Sequence, residues 1–109
     1  MHRVLQMNST GSDDTVISNH KDTINTELKN YSTHEYEVND GHNMEGNPTL
    51  GVNADFDSVT DANNFHSWLK NYIQNNSDDF SYARTRVHDC YHAMGENLPC
   101  KIGDVWELN

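Results

Sequence analysis

The stretch Phe80-Ser81-Tyr82-Ala83-Arg84-Thr85-Arg86-Val87-His88-Asp89-Cys90-Tyr91-His92-Ala93-Met94-Gly95 admits two readings, and the fold turns on which one holds. At three- and four-residue steps, Phe80, Ala83, Val87, Cys90, Tyr91 and Met94 line one side of a helix. Gly95 then stands at the position just past the end, where glycine terminates helices well. At steps of two, Phe80 to His88 is a strand with Tyr82, Arg84, Arg86 and His88 on one face. That alternation would bury two arginines or set them opposite a mixed polar row. The helical reading is therefore the one we expect.

Working back from it, Asp57-Ser58 can cap a helix in which Val59, Ala62, Phe65, Leu69, Tyr72 and Ile73 recur at helical steps. Asp57 and Asp61 lie near its N-terminus, where the helix dipole favours acids. Asn75-Asn76-Ser77 breaks the pattern, so the two helices would pack as an antiparallel hairpin from 57 to 95. Beyond Pro99, residues 102–108 alternate imperfectly and read as a final strand. Upstream, Tyr36 and Val38 alternate with acids in a short strand over 33–38, ended by Asn39-Asp40-Gly41 and expected to pair with 102–108. Gly41, Gly46, Pro48 and Gly51 make 39–55 read as a long loop. Ile17, Ile24, Leu28 and Tyr31 fall on one helical face behind Ser12-Asp13-Asp14. That pattern predicts a helix over 22–31, with a weaker signal over 13–21.

Composition bounds the result. Hydrophobic residues make up 34% of the 109-residue chain, and both tryptophans and all three phenylalanines fall after residue 55. The expected fold is a small single α+β domain over 21–109: a helical hairpin packed with a short β-sheet. Residues 1–20 are expected to be a flexible, loosely ordered segment. No stretch approaches the length of a membrane helix, and Met1 to Met7 is too short for a signal-peptide core, so a cytoplasmic protein is expected. If it is encoded by a phage, that is the host cytoplasm. The sequons at Asn8, Asn30 and Asn75 are about what chance gives in so Asn-rich a chain.

Charge is the strongest functional signal. Seventeen acids against seven Lys and Arg give a formal net of −10, spread along the chain. Such a surface repels nucleic acid and anionic membrane and attracts basic partners. The contact residues this suggests are Glu35, Glu37, Asp55, Asp57, Asp61, Asp78 and Asp79, with Trp68 and Trp106 as aromatic anchors. Asp55-x-Asp57-x-Val59-x-Asp61 lacks the central glycine and closing glutamate of a calcium loop.

No catalytic signature of high specificity is present, and no cofactor is implied. His88, Cys90, His92 and Cys100 are all zinc-binding residue types, but their spacing departs from that of zinc knuckles. A zinc-stabilised module is thus an alternative. A thiol enzyme at Cys90, with His66, His88 or His92 as base, is a more distant one. The expected function is that of a small acidic, non-enzymatic protein that inhibits or modulates a partner with a basic or nucleic-acid-binding surface. Phage and mobile-element inhibitors of host nucleic-acid-processing and defence complexes are an analogy of class, acting as nucleic-acid mimics. No residue carries that analogy.

Overall fold

A computed structural model describes residues 2–90 and 101–108. The chain runs β1 (His2–Gly11), α1 (Asp14–Leu28), β2 (Thr33–His42), β3 (Pro48–Phe56), α2 (Val59–Asn75), a single 3-10 turn (Ser77–Asp79), β4 (Phe80–Cys90) and β5 (Lys101–Glu107). The strands form one sheet in the order β2-β3-β1-β4-β5, antiparallel at every step. The first six major elements follow the split β-α-β plan, two interleaved β-α-β units sharing a sheet, and β5 extends it by one strand. The fold is α+β, as the composition and patterning led us to expect.

Both helices cover one face of the sheet. Leu5, Met7 and Ser9 of β1 point toward them, as do Leu50, Val52, Ala54 and Phe56 of β3 and Ala83, Thr85 and Val87 of β4, all buried. Ile17, Ile24 and Leu28 from α1 and Ala62, Phe65, Leu69 and Ile73 from α2 close the core from above. The helix starts agree with the sequence signals. Asp13 Oδ1 accepts from the N–H groups of Thr15 and Val16, at 2.9 and 3.1 Å. Ser58 Oγ accepts from the Asp61 N–H at 3.1 Å.

The expected hairpin is not formed, because residues 80–90 are a strand. Its helical look has two causes. Ala83 and Val87 lie four apart, a spacing that keeps residues on one side in either structure. Phe80 and Ala83, three apart, both reach the core only because the β1–β4 register shifts at Thr10/Gly11. The arginines that argued against a strand are neither buried nor unmatched. Arg86 Nε donates to Gln6 Oε1 at 2.7 Å, and Arg84 pairs with Glu107 at 3.3 Å. Tyr91 to Gly95 lie outside the described residues.

Three further expectations meet a different arrangement. The 39–55 loop reduces to a turn over 43–47, since β2 continues to His42 and Pro48–Phe56 buries every second residue. Asn43 Oδ1 accepts from the Glu45 and Asn47 N–H groups, both at 3.0 Å, and Gly46 takes a φ of 86° that favours glycine. Residues 33–38 and 102–108 do not pair: β2 and β5 are opposite edges of the sheet. Within the segment expected to be flexible, residues 2–11 form β1, the middle strand, paired on both sides.

Candidate functional site: the open face of the sheet

The sheet face turned away from the helices presents three rows, set by the strand register. One reads Glu35, Asp55, Val4, His88; the next Glu37, Asn53, Gln6, Arg86, Val105; the third Asn39, Gly51, Asn8, Arg84, Glu107. Val4, Gln6 and Asn53 floor a groove of about 440 Å³ whose acidic side is Glu35, Glu37 and Asp55. Glu35 and Glu37 are two residues apart on β2, about 7 Å along the strand. Asp55 lies directly across from Glu35, with Cβ atoms about 5 Å apart. Three carboxylates thus share one patch.

The charge of this face is lopsided. Neither Glu35 nor Glu37 forms an ion pair among the described residues. The two arginines on the β4 side are engaged internally with Gln6 and Glu107. Burial, with Arg86 beside it, holds the His88 imidazole below its ordinary value, so it adds little positive charge near neutral pH. The face remains net acidic, with Glu35, Glu37, Asp55 and Glu107 set against Arg84 and Arg86.

The other sequence-derived contact residues lie elsewhere. Asp57 is exposed just after β3 and accepts from Ser32 Oγ at 2.8 Å. Asp61 sits in the first turn of α2, bonded to its cap Ser58. Asp78 is exposed in the 3-10 turn, and Asp79 accepts from His20 Nε2 at 2.8 Å. The two pairs flank α2 at opposite ends, about 25 Å apart over its 17 residues. They cannot join one patch with each other. Trp68 is half-buried and stacked with Phe65 and Tyr72, at centroid separations of 5.9 and 4.9 Å. Trp106 sits opposite Thr85 on the helix-covered side, half-buried against the core, and it is Val105 that reaches the open face.

Gln6 and Asn53, which floor the groove, were not singled out by sequence reading. The alternation of Leu5, Met7 and Ser9 in β1 and of Leu50, Val52, Ala54 and Phe56 in β3 is the signal that places them outward.

His66 is buried on α2 with Nε2 2.6 Å from Thr85 Oγ1, on the helix-covered side of β4. Burial, reinforced by Lys70, pushes its pKa down to about 4, so it is neutral in the folded protein. His88 and Cys90 are two residues apart on a strand, which removes the helical objection to their sharing a side. The Cys90 side chain, His92 and Cys100 fall outside the described residues, and no group of three or more potential metal ligands occurs among those described. No helix among them is long and apolar enough to cross a membrane. No family model matches this chain, and no curated protein or solved structure shows a significant match to it.

Proposed function

We propose that this protein is a non-enzymatic binding protein that receives a cationic surface of a partner protein on the acidic half of its open sheet face. The observation that carries the reading is the convergence of Glu35, Glu37 and Asp55 on one groove while the arginines of the same face are engaged internally. A partner surface rich in Lys and Arg is what nucleic-acid-processing and defence complexes offer, and occupying it would make the protein an inhibitor or modulator of such a complex. Direct binding of nucleic acid is disfavoured by the net charge of −10. Affinity capture from host lysate at low and high salt tests the reading. A partner retained at low salt, released at high salt and lost to E35K/E37K supports it. Capture that survives both changes refutes it.

A further inference from the structure

β2 is an edge strand, and among the described residues nothing pairs with its outer side. It has ten residues, contains no proline, and holds unbroken register with β3 from Glu35 to His42. An edge of that length offers a row of unsatisfied N–H and C=O groups, a ready template for one more strand. β5, the opposite edge, is shorter and less regular. It has seven residues, its register with β4 shifts between Arg86 and His88, and Glu107 is already tied to Arg84.

The side chains of β2 narrow down what could be added. Glu35, Glu37 and Asn39 point to the open face, while Tyr36, Val38 and Asp40 point to the helix side. Asp40 is matched within the fold, its Oδ1 accepting from Lys21 Nζ at 3.1 Å. Pairing β2 against β2 of a second copy would bring the acids of the two strands beside one another, an arrangement in which like charges repel. The edge thus discourages its own duplication while leaving the hydrogen-bonding row open to a strand of opposite charge.

We propose that β2 takes an extended basic segment of the partner protein by strand addition, with Lys or Arg at alternate positions facing Glu35 and Glu37 and uncharged residues beside Tyr36 and Val38. Main-chain bonds would supply affinity and the alternate side chains specificity. This rests on the cation-binding reading above and specifies the form in which the cation arrives.

The test uses the full chain and three capped peptides of about ten residues, a length typical of long strands. The first alternates Lys with Thr and Val; the second has the same sequence with alternate backbone amides N-methylated; the third replaces each Lys by Glu. Binding is followed by calorimetry and by amide hydrogen exchange. The first peptide should bind, with exchange slowed at the half of the β2 amides that point away from β3. N-methylation and Glu replacement should each weaken binding by about tenfold or more, as should E35K/E37K, whose exposed positions leave the fold intact. If the N-methylated peptide binds as tightly as the first, strand addition is overturned while the cation-binding reading stands. If no Lys peptide binds even at low salt, both fall.

Discussion

The two faces of this sheet treat polar groups in opposite ways. On the helix-covered face the buried polar residues among those described, Ser9, His20, His66 and Thr85, are matched: Ser9 Oγ donates to the Leu50 carbonyl, His20 lies between Tyr72 and Asp79, and His66 meets Thr85. On the open face Glu35 and Glu37 have no ion-pair partner among the described residues, while nearby arginines are engaged elsewhere. A matched buried group serves packing specificity, because leaving it unmatched would cost the full desolvation of that group. An unmatched exposed acid costs the monomer little and is available to a partner. The net charge of −10 therefore matters less as a total than through where it lacks a counterpart.

The sharpest contrast between the faces lies within β1. Leu5 is fully buried and Gln6, its neighbour, points to the open face. Leu5→Ala should cost about 2–5 kcal/mol, and Gln6→Ala about 0.5 kcal/mol or less. Urea unfolding of the two variants measures this. Equal small effects would mean that residues 2–11 do not form the central strand.

His66 offers a second test of the covered face. The unfolded chain takes up a proton at the ordinary value of 6.5, whereas the folded protein resists doing so down to about 4. Between those values the unfolded state binds more protons, so stability is lost as pH falls through the window and unaffected above it. The full shift is worth at most about 3–4 kcal/mol. His66→Gln should flatten the stability profile between pH 6.5 and 4 relative to the wild type. Parallel profiles for the two proteins would show that the imidazole is not held in a dry, neutral site.

How much of this arrangement was legible in the chain follows from where local signals and global pairing agree. α2 was legible because its cap and its apolar stripe are both local, and Ser58 caps it as expected. β3 was not, because Gly51 and Pro48 are ordinary loop formers and only the inward sequence Leu50, Val52, Ala54, Phe56 argues for a strand. β4 misled because a register shift put Phe80 and Ala83 on the same side at a three-residue step. A shift of that kind depends on β1, seventy residues away, and leaves no local trace. The acids Glu35, Glu37 and Asp55 can be named from the sequence, but their convergence cannot: it needs β2 and β3 to pair, and Gly41, Gly46, Pro48 and Gly51 make the β3 stretch look like loop.

On the open face, reversal of charge should separate the two halves. E35K/E37K should weaken a cationic partner by about tenfold or more. R84E/R86E should not weaken it, since the change adds negative charge to the same face. Surface plasmon resonance against the captured partner, at matched ionic strength, decides this. Equal losses in the two variants would place the contact across the whole face and not on its acidic half.

The smallest effect concerns whether Arg84 is held by Glu107 at all. Both side chains are about half exposed and their closest approach is 3.3 Å, a geometry in which solvent screens most of the attraction. A double-mutant cycle through Arg84→Ala and Glu107→Ala should return a coupling of about 0.2–1 kcal/mol that shrinks with added salt. Its sign matters more than its size. A favourable coupling shows that Glu107 of β5 offsets Arg84, which leaves the basic half of the face with little net charge beyond that of Arg86. A coupling of zero would free Arg84 to oppose the acids from across the sheet, and the open face would be less lopsided.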